Sequence, residues 1–90
     1  MIKSKIKGIN RERIVQKMLK EQGYNCWRLA GSLGKFDLIA VDRDSIRFIQ
    51  VKSGYCSPAE REKIRIFECP TVATKEIWIF RNKEIKQFIY

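Results

Sequence analysis

Ninety residues, 44% hydrophobic and 32% charged, are enough for one folded domain, which buries only about 60% of its unfolded surface. No apolar run approaches the roughly 20 residues of a membrane span, and the N-terminus lacks a signal-peptide core, so a cytoplasmic protein is expected. Nineteen Lys and Arg against ten Asp and Glu give a net charge of +9 with no histidine, which favours polyanionic partners and excludes histidine bases, histidine-dependent triads and histidine metal ligands.

In chain order, Lys3, Lys5, Lys7, Arg11 and Arg13 form a basic leader, residues 1–8, that runs into a first helix over about 11–22. Asn10 is its expected N-cap, with Ile9 and Ile14 as a hydrophobic staple. Ile14, Val15, Met18 and Leu19 recur at helical spacing and Gly23 supplies the stop. Glu12 falls at the border of that apolar stripe, from which its carboxylate can look along a sheet surface. Tyr24 to Leu29 reads as a strand. The loop Ala30-Gly31-Ser32-Leu33-Gly34-Lys35 lacks phosphate-loop spacing and leads into a strand, Phe36 to Val41, instead of a helix.

A second strand, Phe48-Ile49-Gln50-Val51-Lys52-Ser53, pairs with the first through a loop of two or four residues within Asp42-Arg43-Asp44-Ser45. Either length sets Asp37 opposite Gln50, because side chains alternate with period two. Lys52 shares the face of Gln50, Leu38 and Val51 point the other way, and Lys35 lies across from Lys52, a pair of ammonium groups suited to an intervening phosphate. Ser57-Pro58-Ala59-Glu60 combines a capping box with proline at N1 and starts a helix expected to reach about Glu68, since Pro70 disfavours helical geometry at Cys69. Ile77-Trp78-Ile79-Phe80 reads as a strand covered on both faces, and a turn at Asn82-Lys83 leads to a last strand, Glu84 to Tyr90. Trp27 and Trp78 are expected in the core or an interface, and Cys26, Cys56 and Cys69 as reduced, mostly buried thiols. The fold class is α/β in the order α-β-β-β-α-β-β, a mixed central sheet flanked by helices.

Phosphodiester hydrolysis requires a nucleophilic water and stabilised charge on the phosphoryl oxygens and leaving group. A hard cation held by oxygen ligands meets both needs, with a lysine to orient the water. The Asp37 carboxylate, the Gln50 amide oxygen, the Val51 carbonyl and Glu12 through water form such a donor set, with Lys52 at its edge.

Glu12 on the first helix, Arg28, Gly31-Ser32, Phe36-Asp37-Leu38-Ile39-Ala40 and Ile49-Gln50-Val51-Lys52-Ser53 together resemble the archaeal Holliday junction resolvases of the PD-(D/E)XK nuclease superfamily. The resemblance covers about residues 7–56 and implies a restriction-endonuclease-like core, residues 1–90 forming one nuclease-like domain. It further implies a Mg2+-dependent endonuclease, with Mn2+ able to substitute, that acts as a homodimer on branched DNA. By that resemblance Asp37 is a metal ligand, Gln50 takes the usual acidic position, Lys52 is the catalytic lysine, Glu12 the helix carboxylate and Ser32 the serine near the scissile phosphate. Arg11, Arg13, Arg28 and Lys35 are the candidate DNA-backbone contacts, with Arg61 and Lys63 less diagnostic. Gln50 departs from the pattern by removing one negative charge, and the chain is short after Phe67. Two alternatives therefore stand beside the resolvase: a small nuclease acting on duplex or flapped DNA, and a catalytically impaired DNA-binding module of the same fold.

Overall fold

A computed structural model describes residues 2–29 and 36–90, with side chains from Asn10 onward. Helix α1 (Ile2–Glu21) precedes strands β1 (Asn25–Arg28), β2 (Leu38–Val41) and β3 (Ile46–Ser53). Helix α2 (Pro58–Arg65) and strands β4 (Ala73–Arg81) and β5 (Glu84–Ile89) complete the expected order. The five strands lie in sequence order, antiparallel throughout except that β3 and β4 run parallel and are joined through α2.

Alternation along the strands divides the core between the two sheet faces. Leu38, Ala40, Ile49 and Trp78 pack with Val15 and Leu19 of α1 and with Cys26, while Ile77 and Ile79 pack with Ile64 of α2, Phe36 and Cys56. Burial of the run from Glu76 to Ile79 matches the expectation of a doubly covered strand.

Helix α1 starts well before the expected Asn10 cap: Asn10 is an exposed helical residue, and Ile14 is likewise exposed. Extending a helix gains one backbone hydrogen bond per residue, which outweighs the single donor that an asparagine cap satisfies. The stop is as expected. Gly23 takes φ of 99°, the Tyr24 N–H reaches the Leu19 carbonyl and the Gly23 N–H the Lys20 carbonyl, the paired bonds of a Schellman ending.

Helix α2 opens with the expected capping box but ends at Arg65, short of Glu68. Lys75 draws the chain away by donating to the carbonyls of Arg65 and Phe67, and the Phe67 ring turns into an aromatic group with Phe36 and Phe48, at centroid distances of 5.1 and 6.2 Å. Burying that ring on the sheet gains more than one further helical turn would.

Glu76 on β4 is fully buried on the α1 face. Arg47 grips it with two bonds of 2.7 and 2.8 Å, the Thr74 hydroxyl donates at 2.6 Å and the Trp78 indole at 2.9 Å. Burial pushes the Glu76 carboxyl upward, but these donors, Arg47 foremost, prevail and hold it below the usual range. The Arg47 guanidinium also lies over the rings of Tyr24 and Trp78. Removing one member of a buried pair strands the other charge. Arg47→Ala is therefore expected to destabilise the fold by about 3–5 kcal/mol, whereas Arg47→Met with Glu76→Leu recovers most of the loss; urea unfolding of both variants measures this.

Candidate active site

The β2–β3 register is the predicted one from Leu38, which faces Ile49, to Val41, which faces Ile46 across a four-residue loop; the strand starts at Leu38 instead of Phe36, so Asp37 lies beyond the paired residues and not in a ladder pair with Gln50. Asp42 closes that loop, its Oδ1 accepting from the N–H groups of Asp44 and Ser45 and from the Ser45 hydroxyl. At the other end Asp37 straddles Gln50. The Asp37 N–H donates to the Ile49 carbonyl at 2.9 Å, and its side-chain Oδ2 accepts from the Val51 N–H at 2.8 Å. The carboxylate thus replaces the backbone acceptor that β2 would have offered had its ladder continued. The Asp37 carbonyl in turn accepts from the Leu29 N–H, which ties β1 to the same corner.

Burial raises the Asp37 carboxyl above the usual aspartate range; the Val51 N–H opposes this, Glu12 adds to it, and Lys52 and Arg28 oppose it. Glu12, Lys52 and Arg28 thus act electrostatically on the Asp37 carboxylate, which bonds the residue after Gln50. The Gln50 Oε1 is buried and has no hydrogen-bond partner among the described residues. Strand alternation directs the Val51 C=O to the same side as its N–H, toward Asp37. Among the described residues, however, no three His, Cys, Asp or Glu side chains gather as a metal-holding group.

Glu12 accepts from Arg28 at 3.1 Å, so the helix carboxylate and the first β-strand's arginine meet as an ion pair. Arg13 is exposed, and the Arg11 guanidinium lies 5.6 Å above the Phe80 ring. Ser32 and Lys35, and with them the predicted pairing of Lys35 with Lys52, fall outside the described residues. Trp78 is fully buried, but Trp27 is 54% exposed, which leaves the interface half of the core-or-interface expectation: it lies on an edge strand, paired with Ile39. Cys26 and Cys56 are buried and Cys69 partly so.

Sequence reasoning assigned Glu60 a capping role and missed its second one. The chain leaves β3 through a turn at Gly54, whose φ of 78° suits glycine, and α2 begins close enough to Lys52 for Glu60 to form an ion pair with it. The brevity of the segment between Lys52 and Ser57 was the available signal. Contact with Lys52, then the bonds from Ser57, holds the Glu60 carboxyl below its usual range.

Helices on both faces of a mixed five-stranded sheet, in this order, are the architecture of the restriction-endonuclease-like fold class. Residues 3–66 match the archaeal Holliday junction resolvase (Hjc) family, and the chain belongs to that family, a family of structure-specific DNA nucleases. Among solved structures, Archaeoglobus fulgidus Hjc, a Holliday junction resolvase from an archaeal hyperthermophile, aligns with a TM-score of 0.66 at 23% identity, over 88% of this chain and 71% of that one. At that identity the likeness speaks for the fold. No curated protein matched the chain.

The raised carboxyl of Asp37 sets the sign of a stability effect. A folded pKa above the unfolded value means that ionisation costs stability; the cost is absent below the unfolded pKa and complete above the folded one. Asp37→Asn keeps an acceptor for Val51 without the charge. It is expected to raise the thermal midpoint at pH 7, the gain disappearing near pH 3, as calorimetry across that range would show.

Proposed function

We propose that this protein is a divalent-metal-dependent endonuclease that cuts branched DNA, with Mg2+ as the cation and Mn2+ able to substitute. The observation that carries the reading is the buried Gln50 Oε1, unpartnered among the described residues, one residue before the Val51 N–H that the Asp37 carboxylate accepts from. An orphaned buried acceptor is costly unless a donor or cation meets it in the working state. Hard oxygen donors of this kind suit Mg2+ or Mn2+. The Asp37 carboxylate, Gln50 Oε1 and Val51 carbonyl are the direct holders, and Glu12 acts through water while remaining within reach of Arg28. When bound, the cation supplies charge neutralisation at the phosphoryl oxygens and leaving group.

Lys52 orients the attacking water in this reading. Asp37 must be ionised to serve, so its raised carboxyl places the acid limb of the cleavage profile above the ordinary aspartate range. Arg11, Arg13, Arg28, Ser32 and Lys35 contact the DNA backbone, a role supported by the net charge of +9. A homodimer acting in the cytoplasm fits symmetric cutting of a four-way junction. Exposed Ile66, Val72, Ile89 and Tyr90 support a second copy: Val72, Ile89 and Tyr90 flank the start of β4, at the end of the sheet away from Lys52. Among the described residues no helix is long and apolar enough to cross a membrane.

A panel of four-way junction, flap, duplex and single-stranded DNA with each metal tests the reading. Paired symmetric nicks in the junction are the expected outcome; preference for flap or duplex would identify another small nuclease instead. Lys52→Ala and Asp37→Asn are each expected to lower single-turnover cleavage by about 100-fold or more while junction binding persists.

Neutral Gln50 supports one rival reading, a DNA-binding module without metal. Manganese titration calorimetry separates the two: binding lost in Asp37→Asn supports the enzyme, whereas salt-sensitive DNA binding with no manganese heat supports the module. Gln50→Glu adds a charged ligand and is expected to lower the metal concentration for half-maximal cleavage by roughly 10–100-fold, the range over which single groups around metal sites act.

A further inference from the structure

Lys52 and Gln50 share one face of β3, two residues apart, so an acid at position 50 would have been the lysine's natural same-face partner. Gln50 brings no charge, and Asp37 Oδ2 is engaged by the Val51 N–H. The carboxylate that meets the Lys52 ammonium comes instead from α2, through Glu60 Oε2.

That carboxylate is anchored. Its other oxygen, Oε1, accepts from the Ser57 hydroxyl at 3.0 Å and the Ser57 N–H at 3.3 Å, while the Glu60 N–H donates back to Ser57 Oγ at 3.2 Å. One oxygen is held by the helix start and the other faces the lysine, so the direction of the contact is fixed by the capping box. The helix start is itself placed by the Gly54 turn, whose N–H donates to the Phe80 carbonyl and whose carbonyl accepts from Arg81, each at 2.8 Å. A freely rotating lysine carries about 2 kcal/mol of rotamer entropy; a fixed carboxylate restricts where its head can go.

We infer that Glu60 is a positioning residue for the nuclease site, holding Lys52 toward the Asp37–Gln50 edge and supplying from α2 the acidic neighbour that position 50 lacks. Its kinetic consequence rests on the nuclease reading above, but the contact itself does not. Glu60→Gln keeps an acceptor for Ser57 and removes the charge opposite Lys52. Ser57→Ala weakens the cap and leaves that charge in place.

Two measurements on the full chain decide the matter. Single-turnover cleavage of a four-way junction is expected to fall roughly 10–100-fold in Glu60→Gln, the scale of a small misplacement of a reacting group. Junction affinity without metal stays within about two-fold of wild type, and Glu60→Asp recovers part of the rate. Ser57→Ala is expected to lower the thermal midpoint and, because the Ser57 N–H still holds Glu60 Oε1 and the charge stays opposite Lys52, to lower the rate less than Glu60→Gln does. Alongside, the 1H–15N signal of the Lys52 ammonium, visible when exchange is slowed by a held hydrogen bond, is expected in wild type and Ser57→Ala and absent in Glu60→Gln. An unchanged or raised rate in Glu60→Gln, or a lysine signal indifferent to the substitution, overturns the inference. Should Glu60→Gln fail to fold, Glu60→Asp gives the same two readouts. A wild type that cleaves nothing overturns the nuclease reading, and the lysine signal still decides whether Glu60 holds Lys52.

Discussion

The site depends on one hydrogen bond, from the Val51 N–H to Asp37 Oδ2. The β2–β3 pairing ends at Leu38 and Ile49, and the partly buried Val51 N–H just beyond it needs an acceptor. By supplying a side-chain oxygen, Asp37 lets β3 run on toward Lys52 with its edge turned away from β2. Asp37 is thus both the end of the hairpin and the first wall of the site, which is why its charge is only partly compensated.

The two ends of β3 treat buried polarity in opposite ways. Around Arg47, Glu76 is satisfied by an arginine, a hydroxyl and an indole, a closed network that leaves nothing for an outside partner. Around Gln50 an acceptor is buried and unmet, a carboxylate is raised, and a lysine is held by an acid from the helix. Completed polar networks stabilise a fold, while incomplete ones mark where something else binds. The parallel β3–β4 pairing joins both ends rigidly, so the satisfied end sets the position of the unsatisfied one.

The hairpin and the start of α2 were legible because their signals are local and mutually consistent: period-two alternation fixed the register, and Ser57, Pro58 and Glu60 fixed the cap. The family was legible from Glu12, Asp37, Gln50 and Lys52 together with their neighbours, because the resemblance rests on residues within the stretch that matches it. The start of α1 was not, because Asn10 carries a cap signal that cooperative helix extension overrides. The end of α2 was set by Phe67 and Lys75, whose contacts are tertiary and leave no periodic trace. Whether Trp27 sits in the core or at a surface was left open because alternation tells which face a residue occupies, not whether a helix covers that face at the sheet edge. Glu60 was hidden by its own capping role: one carboxylate has two oxygens, and the sequence accounted for only one of them.

The neutral residue at position 50 has a physical logic beyond weaker metal binding. Two unit charges about 4 Å apart interact by roughly 4 kcal/mol at the effective dielectric of a protein surface. A carboxylate at position 50 would add desolvation at a buried atom and repulsion against an Asp37 whose ionisation burial already opposes. Gln50 keeps the oxygen and omits that charge, so the metal-free fold carries less strain at its most exposed seam. Moving the acid to Glu60 places it where water, the Ser57 N–H and Lys52 all solvate or pair it. The charge then meets the lysine from α2 and is absent from the electrostatic neighbours of Asp37.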